Sequence, residues 1–382
     1  MQPLRAAAPT PGALASASRL RRTPLRALAT WRVRAIAAAW LASRALVASG
    51  AVAAENLLPH NPNLVGASGG PIISSLTTWD GWWYLGIARS GYHAAPLTGQ
   101  YHDYAFFPLY PALVRGLSLA TPAFDGLIAV LLSNVLFLVA LGLLYRLTAE
   151  VLDEERAAWS CVVLCLFPFS FVFSMAYAES LFLALSLGAL LAAERGHAAT
   201  ASLLAGLAGL TRLPGVLLVV PLALILWKRL DDRRAFAWLV LVPLGAVAFT
   251  AWVGTFASAA GGFGGAQAAW GRNGIGAAAA IGGNLASQLD PLRLSFLVAL
   301  LAYVFLLVYL RPDRIPLPYA TIPILTLAAV LTSGDLESVG RYGWSRSRSC
   351  GSSPAAAGSG PRGQHSAQSC SWPRRWRRSR AG

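Results

Sequence analysis

Charged side chains are scarce in this chain. Asp, Glu, Lys and Arg make up 12% of its 382 residues, where a soluble domain carries about 25%. Lysine is scarcer still: Lys228 is the single one, and arginine carries the rest of the basic charge. A soluble fold would have to bury several wholly apolar helices in one small core, and the charge deficit speaks against it. There are only four cysteines. Cys161 and Cys165 lie one helical turn apart in an apolar run and read as small core residues, while Cys350 and Cys370 lie in the C-terminal stretch. With no CxxC pair and no Cys/His cluster, neither a zinc site nor a disulfide framework is indicated. A signal peptide is not expected either. The first apolar stretch starts late and no small-residue cleavage site stands out near it, so it reads as an uncleaved span.

What the chain has is apolar length. Hydrophobic residues make up 56%, and the mean hydropathy is +0.54. The runs place about nine spans of an all-α polytopic transmembrane protein, near 35–54, 126–147, 157–176, 179–194, 198–213, 214–229, 235–257, 293–310 and 316–333. Those at 179–194, 198–213 and 214–229 fall short of the roughly 20 residues of a crossing, which leaves them tilted, broken or wrongly divided.

The net charge is +15, from 31 basic and 16 acidic residues. Such a balance can signal nucleic acid, but these charges gather where orientation signals gather, and no nucleic-acid partner is expected. Arg5, Arg19, Arg21, Arg22, Arg26, Arg32 and Arg34 mark residues 1–34 as a basic cytoplasmic N-terminus. Further inside loops follow from Lys228, Arg229, Arg233 and Arg234, from Arg311 and Arg314, and from Arg146 and Arg156 beside Asp153, Glu154 and Glu155. Segments 55–125, 176–180, 211–215, 258–292 and 334–342 then fall outside, within a transmembrane domain of 35–343. That count requires 106–121 not to cross, and its Phe, Tyr, Leu and Pro residues read as an interfacial or re-entrant helix. The Gly/Ala-rich stretch 258–290 reads as a flexible outside loop.

Four outside segments carry chemistry. In the first, Asp80 stands among Trp79, Trp82, Trp83 and Tyr84, with Arg89 further on. Aromatic faces suit the C–H faces of a sugar, and a carboxylate accepts a hydroxyl proton. The same residues also fit an interfacial aromatic belt with a helix-capping acid. His102 and Asp103 read either as a metal or acid–base pair or as solvated loop residues. Glu179 and Arg212 stand at the other two outside edges, and Arg341-Tyr342 at a fourth. Each alone also reads as a boundary residue. Counting spans brings Asp80, Glu179, Arg212 and Arg341 to one face, where carboxylates and arginines suit a phosphate-bearing lipid.

The pattern WDG–x–IA–x–GY over Trp79–Tyr92 resembles the PIG-V-type mannosyltransferases, which add the second mannose in glycosylphosphatidylinositol assembly, and their bacterial relatives. FFPLYP at 106–111, Ser133-Asn134 inside a span, AYAES at 176–180, TRLPG at 211–215 and GRY at 340–342 follow in the same order. The resemblance runs from about Trp40 to Gly343, and the arginine-heavy usage favours the bacterial branch. It implies a GT-C-like glycosyltransferase in the cell membrane with its active face extracytoplasmic. It also implies a polyprenyl-phosphate mannose donor, a glycolipid or glycan acceptor, and a catalytic acid from the first outside loop, the position of Asp80. Trp79, Trp82, Trp83, Tyr84, Glu179 and Tyr342 then belong to the substrate site, with Arg212 and Arg341 at the leaving phosphate and Arg89 a weaker candidate. Reaction at a β-linked donor would invert it to an α-mannoside. No metal ligands are assigned and a divalent metal is left open. The competing readings are a lipid-linked sugar flippase or transporter, and an inactive truncated copy.

After Gly343 the character changes. Residues 344–382 hold eight arginines, no acid and no apolar run, where a final span is expected. One synonymous codon choice for Gly343–Pro354, read one frame on, encodes Leu-Val-Ala-Phe-Pro-Val-Leu-Trp-Leu-Leu-Ala, a membrane-like stretch. The tail is therefore expected to be frameshifted, with the final span lost, or else a disordered Arg/Ser-rich segment.

Overall fold

A computed structural model describes residues 11–57, 66–97, 101–229, 233–270, 316–322, 324 and 325, the side chains of 11–30 and 168 excepted. The span expected at 293–310 and half of the one at 316–333 lie outside the described residues, as do 271–292, Arg311, Arg314, Arg341, Tyr342 and the tail. The described residues are helical, without a β-strand. In order the helices are α1 (Pro11–Leu57), α2 (Pro71–Leu76), α3 (Asp80–Ser90), α4 (Leu109–Ser118), α5 (Asp125–Val151), α6 (Glu154–Leu166), α7 (Glu179–Glu194), α8 (Ala198–Gly209), α9 (Val219–Arg229), α10 (Leu241–Ala257) and α11 (Gly262–Ala269).

Three helical stretches among these residues are long and apolar enough to cross a membrane: Trp31–Leu57, Pro122–Val151 and Arg233–Ala260. The first is the C-terminal part of α1, a helix that begins at Pro11 and so includes most of the basic N-terminal segment. The run expected as one span over 157–176 is broken. Pro168 has no N–H to donate and disfavours helical backbone in the residue before it. Phe167 is accordingly extended (φ −59°, ψ 133°), α6 stops after 13 residues, and a six-residue 3-10 helix, Pro168–Phe173, follows. The runs at 179–194, 198–213 and 214–229 form the short helices α7, α8 and α9. The α7–α8 reversal turns at Gly196, whose φ of 78° favours glycine. At ten residues α4 rises about 15 Å, half of a hydrocarbon core.

The stretch read as a wholly flexible loop from 258 is ordered at its start. Ser258–Ala260 is a 3-10 turn and α11 follows. Gly261 makes the link in the left-handed region (φ 79°), and the alanines at 266, 268 and 269 carry the helix.

The described residues fall into two compact units. The first lies within Met1–Gly91, Phe106–Trp252 and Ile315–Leu325, the second within Tyr92–Ala105 and Val253–Arg314. In the first, α5 packs on α6 and α7, and α7 on α8 and α9. Ala189, Ala193, Ala201, Ala205 and Ala208 are fully buried and let these helices close up, with Leu190, Leu222, Ile225 and Leu226 filling between them. Lipid offers apolar side chains as good a home as another helix does, so such close packing is what holds helices together in a bilayer.

At its C-terminal half α8 also comes close to α10. A Cβ on Gly245 would stand 2.7 Å from Gly206 O and 2.8 Å from Leu210 Cγ, and one on Gly206 would stand 2.5 Å from Leu241 O. Gly245→Val is therefore expected to lose about 1–3 kcal/mol by overpacking, read as a lower midpoint of thermal unfolding in detergent. An unchanged midpoint would show that the crossing can open freely.

Candidate active site

Thr77 and Thr78 end α2 by bonding back to it, Oγ1 to Ile73 O at 2.7 Å and Oγ1 to Ser75 O at 2.8 Å. Trp79 then turns the chain at φ 52°, the one non-glycine positive φ among the described residues. For a large side chain that backbone costs of order 1–3 kcal/mol, a strain that gathers at functional sites. It launches α3 at once, with Gly81 N–H donating to Thr78 O (3.0 Å) and Trp82 N–H to Trp79 O (3.1 Å). Asp80 is thus in the first turn of α3, at the helix N-terminus.

The start of α3 lies against the segment leading into α7. A Cβ on Gly81 would meet Ala176 Cβ at 3.5 Å and the Tyr177 ring at 3.6 Å. Ala176 N–H donates to Leu76 O (2.8 Å), and Tyr177 OH to Thr78 O (3.5 Å). Glu179 opens α7 two residues later, so a second carboxylate sits at a helix N-terminus. Its partner is the Arg212 guanidinium, in an ion pair with side chains 12% and 18% exposed. At that exposure water screens the pair little, and breaking such a pair by removing one member is costly.

A hydroxyl network lies beneath. Tyr110 OH donates to Ala129 O (3.0 Å) and meets Ser133 Oγ at 2.9 Å, and Ser133 Oγ approaches Tyr177 O at 3.4 Å. Burial pushes the Tyr110 phenol far above its ordinary pKa, so it stays a neutral donor. Tyr84 stands edge-on to Tyr110 and Phe106, with centroids at 5.2 and 5.3 Å, and Trp83 stacks on Phe106 at 5.6 Å. Leu109 N–H donates to Leu210 O (3.1 Å), tying α4 to the turn that carries Arg212. In that turn Gly215 is backed directly by the Gly209 backbone, where a Cβ has no room. Segments 77–85, 106–110, 133–134, 176–179 and 209–215 therefore meet in one place.

A sequence model described as Mannosyltransferase (PIG-V) matches residues 38–231. The chain belongs to the PIG-V mannosyltransferase family. The match contains every segment of the cluster just described. Among curated proteins the chain is 32% identical to GPI mannosyltransferase 2 of Drosophila pseudoobscura pseudoobscura and 30% identical to that of Drosophila melanogaster, each over 120 residues. Each match covers 29% of this chain and only 25% of the relative's length. No solved structure matches.

Within the PIG-V region the structure pairs Glu179 with Arg212 and sets the start of α3, with Trp79 at its N-cap, against Ala176 and Tyr177 just before Glu179. Of the aromatics, Trp83 and Tyr84 are buried in packing, while Trp79 and Trp82 are half-buried. Arg89 is placed elsewhere. It ends α3, about 13 Å along the helix from Asp80, and both oxygens of the Asp125 carboxylate accept from it, Nη2 to Oδ1 at 2.8 Å. Arg115 bonds Ala88 O (3.2 Å) beside it, so this end of α3 is tied to α4 and α5. Arg341 and Tyr342 lie outside the described residues. No group of three His, Cys, Asp or Glu able to hold a metal ion occurs among the described residues.

Sequence reading passed over the Tyr110–Ser133–Tyr177 network and His93. Ser133-Asn134 was a visible signal, two polar residues inside an apolar run. In the second unit, His93 Nδ1 lies 2.8 Å from Asp103 Oδ2, and the His93 N–H donates to the same oxygen at 3.0 Å. Asp103 is 1% exposed. Burial raises its pKa, outweighing the opposing pull of His93. The folded state thus holds this proton more tightly than the unfolded chain does. Its contribution to stability is fullest at low pH and falls as pH rises from the ordinary carboxylate value through the raised one. Asp103→Asn is expected to flatten this dependence in thermal unfolding followed against pH, and an unchanged slope would assign it to another group.

Proposed function

We propose that this PIG-V family member moves mannose from polyprenyl-phosphate mannose to a glycolipid or glycan acceptor at the extracytoplasmic face of the cell membrane. One observation carries the reading: the segments bearing Asp80, Glu179 and Arg212 meet around one buried hydroxyl network, within the region that defines the family. Two carboxylates at helix N-termini and an arginine, beside an aromatic-rich helix, suit a sugar phosphate.

In the proposed reaction an acceptor hydroxyl oxygen attacks the anomeric carbon and Asp80 takes its proton. The bond from that carbon to the phosphate oxygen breaks, and polyprenyl phosphate leaves with the bonding pair. A phosphate is a stable anion and needs no general acid. Arg212, with Arg341 from the segment beyond the match, holds the charge as it develops. Trp79, Trp82, Trp83, Tyr84 and Tyr342 shape the sugar site, and Arg89 fixes the far end of α3 through Asp125. One displacement inverts the anomeric centre. The architecture that goes with this is GT-C-like, with about nine spans over 35–343 and the 55–125 segment outside. The arginine-rich loops support that sidedness.

The test is transfer of labelled mannose from polyprenyl-phosphate mannose by membranes carrying this chain, beside a frame-restored form, with a natural acceptor extract present. Transfer above control membranes supports the enzyme. Transfer by the restored form alone makes the 382-residue product an inactive copy. Movement of the lipid-linked sugar across the bilayer without transfer replaces the enzyme with a flippase.

A further inference from the structure

Arg44 is the charge least at home in this fold. It lies on α1 midway along the candidate span Trp31–Leu57, so about 20 Å of helix separates it from either end. A cation at that depth is expensive and persists only with partners. Among the described residues Arg44 meets no carboxylate. Its guanidinium instead spreads over neutral oxygens: Nη1 to Ser174 Oγ at 2.6 Å, Nη2 to Ser170 O at 3.0 Å and to Ser170 Oγ at 3.1 Å, and Nε to Ser43 Oγ at 3.2 Å. The group stands over the Phe137 ring at 4.9 Å. Four hydrogen bonds occupy most of its five N–H donors, which leaves it little with which to bind a substrate phosphate, and headgroups do not reach this depth.

The oxygens it serves exist because the helix breaks. Pro168 ends α6 and exposes backbone that a bilayer cannot hydrate. Ser170 Oγ caps Cys165 O at 2.7 Å, and Arg44 takes Ser170 O. Ser174 Oγ donates in turn to Asn134 Oδ1 at 3.0 Å, next to Ser133 of the hydroxyl network. The broken segment runs straight into the site: Ser180 Oγ reaches back to Phe173 O (3.1 Å), Met175 N–H to Phe171 O (3.3 Å), and Ala176–Glu179 follow.

We infer that Arg44 is a positioning residue that holds the Pro168–Ser174 break closed and thereby sets Tyr177 and Glu179 in place. The inference rests on the mannosyltransferase reading for its effect on turnover, though not for its geometry.

Two measurements separate the two. Cys165 is fully buried behind the break, so in a Cys161→Ala, Cys350→Ser, Cys370→Ser background its reaction with a membrane-permeant maleimide reports opening. Arg44→Gln is expected to speed labelling about tenfold or more. It is also expected to lower kcat about 10- to 100-fold, by misplacing groups it never touches, with KM for the donor unchanged. Arg44→Lys is expected to restore part of both. Arg44→Gln combined with Asn134→Ala is expected to do no more than the larger single change, as members of one network behave. Ser174→Ala, which removes one acceptor, carries the same test in milder form if Arg44→Gln fails to fold. Unchanged labelling in a folded Arg44→Gln protein overturns the inference, and so does a rise in donor KM at constant kcat. If no form of the chain transfers mannose, the labelling still decides Arg44, and the failure belongs to the functional reading.

Discussion

Asp80→Asn is expected to lower mannose transfer by roughly 10²- to 10⁴-fold, the range spanned by loss of a general base. Donor binding is expected to stay within a small factor of wild type. The amide matches the carboxylate in size, keeps an oxygen acceptor in the first turn of α3 and leaves the Trp79 turn and Gly81 contact intact. What it loses is the ability to take a proton. It also gives up the favourable charge–dipole term at the helix start, about 0.3–1 kcal/mol, too little to account for such a loss. The pattern of reduced kcat with unaltered donor affinity marks a group that works in the transition state. A variant that transfers normally would move the proton to water or another base. A protein that carries lipid-linked sugar across the bilayer at full rate with Asn at this position would be a flippase.

Breaking the Glu179–Arg212 pair has the second large effect, and it comes in two parts that substitution can divide. Arg212→Ala leaves the Glu179 carboxylate, 12% exposed, without its cation. The expected cost is about 3–5 kcal/mol, the range for stranding one charge of a buried pair. Glu179→Gln strands Arg212 and is expected to destabilise too, by less, since Arg212 is the more exposed partner at 18%. Removing both charges with Glu179→Gln and Arg212→Gln is expected to return most of the lost stability, because no buried charge remains. Transfer is expected to stay at least about 100-fold down in the paired variant, because the cation that answers the leaving phosphate is gone. Thermal unfolding and initial rates on the same preparations check both. Recovery of transfer along with stability would make this pair scaffold alone. Arg212→Lys is expected to fall well short of wild type, since an ammonium cannot present the planar fork that a guanidinium offers.

The legible parts of this molecule are those written as length or as isolated charge. The run around 35–54 and the one at 126–147 are long and free of proline, and both belong to helices of membrane length. Asp80, Glu179 and Arg212 stood out because ionisable groups at apolar boundaries are costly. The α6 run misled because hydropathy counts apolar residues and is blind to the N–H that Pro168 lacks. The segment from 55 to 125 hid α2 and α3 for a related reason, since short helices packed on a protein surface carry no length signal, while α4 falls inside the stretch read as an interfacial or re-entrant helix. Hydroxyl partners were the least visible. Nothing along the chain joins Tyr110 to Ser133, or Arg44 to Ser170, until tertiary packing has placed them. Arg89 shows the converse, since its partner Asp125 decides what it does and lies a helix away.

The bond from the Leu109 amide to the Leu210 carbonyl bears on how the protein is made. A nascent chain leaving the ribosome has Leu109 long before Leu210, and Thr78 long before Tyr177. The groups around Asp80 therefore emerge without their companions and wait while α5 to α8 are synthesised and inserted. During that interval Arg44 and Asn134 are polar groups in segments already committed to lipid or to the insertion machinery. Assembly of such long-range contacts is slow and exposes intermediates. The candidate site is thus among the last parts of this region to form.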